Sequence, residues 1–281
     1  MSFHLSDLSK FRSSFMGFAM IWIVLYHYQI KGLLAFPIGN GFTGVDIFMF
    51  VSGMGLYYSM TKDSNMGHFY KKRFLRIFPL YYLIGLAYVL IEGGFGFWNY
   101  LWRFSTLGFW TDGTIGNGWF IPSIVAVYVF YPFVHITVFR NGIDKTALIV
   151  LGAILLFFIG YTSFVDLTII DTNHYLLLYR LPVFLFGMLI GYSISKNKDF
   201  SRRFIHIALA LLPLFLIHFV VHDNIRIRYL STTFTVPLIM AVICVLLNYF
   251  KRVQTMLGGG RKCILRNLYA TSYSDVNLGK I

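Results

Sequence analysis

A histidine closes the first apolar stretch of this chain, in Leu25-Tyr26-His27-Tyr28, and an aspartate, Asp46, stands near the start of the second. Ionisable side chains inside apolar segments are costly and mark function by default. An imidazole beside a carboxylate has its tautomer fixed and its protonated form stabilised, which suits a general base or a nucleophile. The hairpin between the two stretches carries Pro37 and several glycines. It is short enough for the two side chains to meet. A structural reading stands beside this one: Asp46 caps its helix and His27 is an interfacial aromatic. A second group lies in Phe69-Tyr70-Lys71-Lys72-Arg73-Phe74-Leu75-Arg76-Ile77-Phe78-Pro79. Arg73 and Arg76 are three apart and share a helix face. Paired guanidiniums make directed hydrogen bonds to phosphate, although the same cations would also anchor a helix against anionic lipid. A third group, Asn117-Gly118-Trp119-Phe120-Ile121-Pro122, opens another apolar run. Trp119 there is either an interfacial anchor or part of a substrate pocket.

The elements that must position these residues are transmembrane helices. Hydrophobic residues make up 57% of the 281 and charged residues only 12%, against about 25% charged in soluble domains. Mean hydropathy is +0.68. Apolar stretches recur at 15–29, 42–60, 74–91, 119–139, 147–165, 175–193, 204–221 and 229–250. Several reach the roughly 20 residues needed to cross a bilayer. The expected fold is therefore an all-α integral membrane bundle of about eight helices, with residues 1–257 as one membrane domain and 258–281 as an atypical tail. Internal glycine and proline do not disturb this, since membrane helices tolerate both.

Charge placement sets the expected topology. With the N-terminus cytoplasmic, fifteen Lys and Arg fall inside, among them Lys10, Arg12, Lys71, Lys72, Arg73 and Arg76. Four fall outside: Lys31, Arg103, Arg226 and Arg228. Such asymmetry follows the positive-inside rule and predicts a multi-pass cell-membrane protein. The net charge of +13 is then a topology signal, and no nucleic-acid partner is expected. The histidines lack metal spacing, so no metal is expected. The two cysteines, Cys244 and Cys263, give no disulfide framework.

In order along the chain, these blocks resemble acyltransferase family 3, the multi-span membrane O-acyltransferases. The resemblance runs through residues 15–28, ending in His27. It continues through Gly44-Val45-Asp46-Ile47-Phe48-Met49-Phe50-Val51-Ser52-Gly53, similar to the family's G-x-D-x-F-F-x-x-S-G block. It then takes in residues 73–82, similar to R-x-x-R-x-x-P-x-Y, and Trp119 with its neighbours. It implies transfer of an acetyl group from cytoplasmic acetyl-CoA to hydroxyls of a surface polysaccharide or lipid-linked glycan, in contact with membrane lipids. His27 and Asp46 would be catalytic. Arg73, Arg76, Arg12 and Lys72 would hold the donor, and Ser52 and Trp119 would line the pocket. Arg12 to His27 is fifteen helical steps, roughly 22 Å, a rise that suits a long thin donor arm. His27 either takes a proton from the acceptor or carries the acetyl group. Two positions depart from the family pattern. Met16 stands where members commonly have Arg, with Arg12 one turn earlier. Met49 replaces the block's second Phe, a nearly volume-conserving exchange. An inactive truncated remnant and a membrane transporter are the alternatives, the latter because intramembrane charges also mark ion pathways.

The tail breaks the resemblance. After Gly258-Gly259-Gly260 come Arg261-Lys262-Cys263-Ile264-Leu265-Arg266-Asn267-Leu268-Tyr269 and a polar run. The family has a segment like L-E-x-Y-L-x-H near this point. A one-base shift of a permitted coding sequence for this stretch reads G-E-N-V-F-L-E-T-Y-M-L-H. The expectation is a frameshift near Gly260 with loss of the last spans. Sequencing the gene across the codons for residues 255–265 should reveal that second frame; a coding region with no family-like alternative frame overturns it.

Overall fold

The computed structural model describes residues 4–28, 39–92, 96–111, 118–140, 142–164, 176–197, 206 and 225–249. The expected span at 204–221 and the tail at 258–281 lie outside them, apart from His206. The described residues are helical, with no strand among them. In chain order the helices are α1 (Leu5–Lys10), α2 (Arg12–His27), α3 (Thr43–Lys62), α4 (Met66–Glu92), α5 (Phe97–Phe104), α6 (Leu107–Thr111), α7 (Phe120–Phe139), α8 (Lys145–Phe164), α9 (Leu181–Ser195) and α10 (Ile225–Tyr249). Three described stretches are long and apolar enough to cross a membrane: Met66–Ile91, Phe120–Phe139 and Leu176–Ser195. Eight spans were expected. α2 has 16 residues, short of the roughly 20 that cross a bilayer. α3 has 20, but its polar and small residues hold its hydropathy down. Helices that bury their faces in protein need not be as apolar as those facing lipid. The third expected span begins eight residues early. Asn65 Oδ1 accepts the His68 N–H at 3.0 Å and caps α4, so the cationic cluster rides inside the helix rather than before it.

The chain divides into two compact units, Met1–Met54 with Val183–Ile281, and Gly55–Pro182. In the first, α3 makes two close crossings. A Cβ at Gly44 would lie 2.8 Å from the Ala19 carbonyl oxygen and 2.8 Å from an Ile23 side-chain carbon of α2. Cβ atoms at Gly53 and Gly187 would overlap the Phe184 and Phe50 carbonyls respectively, so the backbones of α3 and α9 touch. Small residues permit such approach between membrane helices. Phe50 and Phe186 close the crossing edge-to-face at 5.8 Å.

α1 is tied to the far end of the same unit. Asp7 Oδ2 accepts from the His4 backbone at 3.0 Å and from Asn248 Nδ2 on α10 at 3.1 Å. Lys10 Nζ donates to Asn248 Oδ1 at 3.2 Å. Buried Phe11 and Phe15 then seat the start of α2. In the second unit, Tyr70 Oη donates to the Val129 carbonyl at 2.9 Å, joining α4 to α7. Phe69 stacks on Tyr131 at 5.8 Å.

The crossing gives a clear expectation. Gly187→Ala forces two backbones apart and should cost at least the roughly 1–3 kcal/mol of an overpacked core, lowering the thermal midpoint of the detergent-solubilised protein. Gly152→Ala on α8, where nothing lies within 4 Å, should leave that midpoint unchanged or raise it slightly, because alanine is the better helix former.

Candidate active site

The residues expected to do chemistry fall in both units. In the first, His27 occupies the last helical position of α2 with its side chain exposed. Its Nδ1 lies 2.8 Å from the Ile23 carbonyl oxygen, one turn back. A carbonyl can only accept, so Nδ1 carries the hydrogen. In the neutral ring the lone pair is then on Nε2. Tyr26 meets His27 edge-to-face at 5.3 Å and meets Phe42 at 6.0 Å. Together with Gly44 against Ile23, this packs the end of α2 on the start of α3.

Asp46 lies in the first turn of α3 with no exposed surface. Tight turns lead into that helix, with Thr43, Gly44 and Val45 N–H groups donating to Asn40, Gly41 and Phe42 carbonyls at 2.9–3.1 Å. The positive helix end favours a carboxylate there. The sequence pointed to Asp46 as the group fixing the imidazole tautomer; the bond seen at Nδ1 goes to the Ile23 carbonyl instead. Ser52, half-buried, directly precedes the Gly53 crossing, and Arg12 is half-buried at the start of α2.

In the second unit the cations that looked alike in sequence occupy different settings. Lys72 Nζ lies 3.4 Å from Asp63 Oδ2, and His68 Nδ1 donates to the same oxygen at 3.3 Å. The Asn65 N–H donates to Asp63 Oδ1 at 3.1 Å. That backbone bond, with His68 and Lys72, holds the Asp63 carboxyl below its usual range against the opposing effect of desolvation. Asp63 therefore stays ionised at neutral pH, and Lys72 has a counter-ion. Arg73 is half-buried, its guanidinium 5.1 Å from the Phe69 ring centroid and 5.5 Å from that of Tyr128. Arg76 is exposed. The shared helix face thus presents one guanidinium fixed by two rings and one in the open.

Trp119 precedes α7. Gly118 before it has φ +91°, a left-handed conformation that glycine adopts without steric cost. The Trp119 ring lies 4.9 Å from the Arg180 guanidinium. Arg180 is only 2% exposed, and its Nη1 donates to the Leu176 carbonyl at 3.2 Å. Arg180 is not among the residues singled out in the sequence. The available signal was a single cation within an otherwise apolar run, and such residues pair inside the protein. His135, one of the histidines without metal spacing, has Tyr131 Oη at 3.1 Å, four residues back on α7.

The acyltransferase domain of family 3 matches residues 17–273, which include His27, Asp46, the α4 cations, Trp119 and Arg180. The chain belongs to acyltransferase family 3. The family match starts after Arg12 and runs into the tail. A protein of the Acidianus two-tailed virus, named "Putative acetyltransferase ORF330", is 29% identical over 196 residues. That alignment covers 65% of this chain and 57% of the viral protein, so the chain spans little more than half of that relative. No solved structure matches.

Trp119→Leu removes the ring face from the Arg180 guanidinium and should cost about 0.5–2 kcal/mol, lowering the thermal midpoint. Trp119→Phe, which keeps a ring face, should recover part of the loss. Equal midpoints for the two variants would show that the ring face contributes nothing.

Proposed function

We propose that this family 3 protein is a membrane O-acetyltransferase. It takes the acetyl group of cytoplasmic acetyl-CoA and transfers it to hydroxyls of a cell-surface polysaccharide or a lipid-linked glycan. The observation that carries this reading is the seat of His27 within the acyltransferase domain: exposed, at a helix end, with Nδ1–H committed to the Ile23 carbonyl and Nε2 left as the basic atom. The acetyltransferase name of the viral relative supports acetyl as the group moved. The multi-pass arrangement with a cytoplasmic N-terminus rests on the charge asymmetry.

In direct transfer, His27 Nε2 takes the proton of the acceptor hydroxyl as that oxygen bonds to the acetyl carbonyl carbon. His27 then returns the proton to the departing thiolate, so charge and atoms balance. The buried Asp46 carboxylate favours the imidazolium that exists between the two proton movements. Arg73 is the leading phosphate ligand for the donor. Its guanidinium is pre-organised by Phe69 and Tyr128, so less side-chain entropy is lost on binding. Arg76 and Lys72 add positive charge on the same helix, with Lys72 shared with Asp63. The family resemblance gives Arg12 a donor role as well, and gives Ser52 and Trp119 roles in substrate binding.

Membranes carrying the protein, given radiolabelled acetyl-CoA, should label surface glycan. His27→Ala should lower the transfer rate by about 10²–10⁴, the usual contribution of a positioned base. Arg73→Lys should raise KM for the donor more than Arg76→Lys does, since lysine cannot reproduce a planar stacked fork. A His27→Ala protein that acetylates at the parent rate would overturn the assignment, and transport without labelled glycan would overturn the reaction class.

A further inference from the structure

We infer that residues 97–111, between α4 and α7, form a re-entrant hairpin that dips into the bilayer and presents an aromatic face to lipid acyl chains. α5 and α6 together are too short to cross the bilayer: α5 has eight residues, about 12 Å of helix, and α6 has five. A stretch of this length and apolarity is read as re-entrant or interfacial rather than spanning.

Its depth is set by α4. Tyr100 Oη donates to the Tyr82 carbonyl at 2.8 Å. The Phe104 ring sits on Gly85, where any Cβ would overlap it, and lies 5.5 Å from the Tyr81 ring. Both ends of the contact therefore fall at the level of residues 81–85 of α4. That level lies seven to eleven residues short of Glu92, or roughly 10–17 Å in from the helix end. The α4 surface there faces lipid: Leu83 and Ile84 are 63% and 50% exposed, on a candidate span, Met66–Ile91, that buries little of its surface in protein.

The outward surface of the hairpin suits that depth. Phe97, Trp98, Leu101 and Trp102 are exposed large apolar residues on one side of α5, and Leu107 and Trp110 continue the surface on α6. Tyr100 and buried Phe104, on the flank of α5 beside Phe97 and Leu101, meet α4, while exposed Asn99 and half-buried Arg103 lie on the side away from the aromatic face.

The corner supplies a second, independent observation. Irregular backbone at membrane depth survives only where its polar groups are satisfied within the protein. Between α5 and α6, Ser105 N–H and Oγ both donate to the Trp102 carbonyl, at 3.2 and 2.7 Å. Ser105 Oγ accepts from the Leu107 N–H at 3.1 Å. Thr106, at φ +69°, is buried, and Thr111 Oγ1 donates to the Leu107 carbonyl at 3.2 Å. The Ser105 N–H, the Ser105 hydroxyl and the Leu107 N–H thus find acceptors within the turn.

Spin labels at single cysteines, in full-length protein with Cys244→Ala and Cys263→Ser, reconstituted in phosphatidylcholine vesicles, test this with α4 as an internal ruler. Collision with oxygen against collision with a water-soluble nickel chelate gives depth. Labels at L101C and W102C should read as deep as L83C and deeper than I91C. A reading as shallow as I91C, or free access of nickel, overturns the re-entrant placement. Spin–spin broadening at W102C overturns the lipid assignment in favour of a second copy of the chain. Where a cysteine variant fails to fold, quenching by lipids brominated in mid-chain serves. The triple variant W98F, W102F and W110F should then lose more than about half of the quenchable tryptophan signal; an unchanged signal overturns the inference.

Discussion

Helix α3 is fixed by the absence of side chains. Gly44 admits the carbonyl of Ala19 and the side chain of Ile23, and Gly53 admits the backbone of α9 at Phe184. Within a bilayer there is little hydrophobic gain in bringing two helices together, because lipid tails are as apolar as leucine. Close contact of backbones supplies dispersion instead. Those two crossings hold the register of α3 against α2 and α9. The same register puts Asp46 out of solvent and brings the end of α2 onto the start of α3. Ile23 serves both purposes: its side chain meets Gly44, and its carbonyl holds the His27 ring.

Electrostatics then separates cations that composition treats as equal. Lys72 is answered by a carboxylate outside the apolar length of its helix. Arg73 is answered by two ring faces, and Arg180 by a ring face and a backbone carbonyl. The order follows burial. The carboxylate beside Lys72 lies where water still screens, while ring quadrupoles meet the deeper guanidiniums of Arg73 and Arg180 at a lower desolvation cost than a second charge carries. A buried arginine held this way keeps its charge in place, a property that lysine with its more strongly hydrated ammonium does not share.

Much of this could be read from the chain alone. The helices at 43–62 and 120–139 lie within two residues of the apolar runs that foretold them, because hydropathy in a membrane is nearly a direct readout of backbone constraint. The ordered blocks from His27 to Trp119 led to the family. What escaped was whatever depended on a partner distant in sequence. Nothing near His27 announces that its ring turns to its own helix, since any residue at position 23 offers the same carbonyl. Arg180 is found by Trp119, sixty-one residues earlier, and no local period links them. The distinction between Arg73 and Arg76 required Tyr128 of α7. The hairpin at 97–111 escaped because no apolar run long enough to span announces it; its seat on α4 appears only when Gly85 is seen to receive Phe104.

The bond between Asp7 and Asn248 spans 241 positions and has a consequence in time. Chains emerge from the ribosome at about 5–20 residues per second, so Asp7 waits between roughly 12 and 50 s for its partner to be made. Until then a carboxylate that ends up buried has no amide to meet, and α1 lacks its anchor on α10. The helix that carries His27 follows directly from α1, so its foot gains this anchor only after α10 has been made. The other end of that helix meets residues made soon after it, Phe42 and Gly44. One helix is thus fixed at its two ends by partners that arrive at very different times.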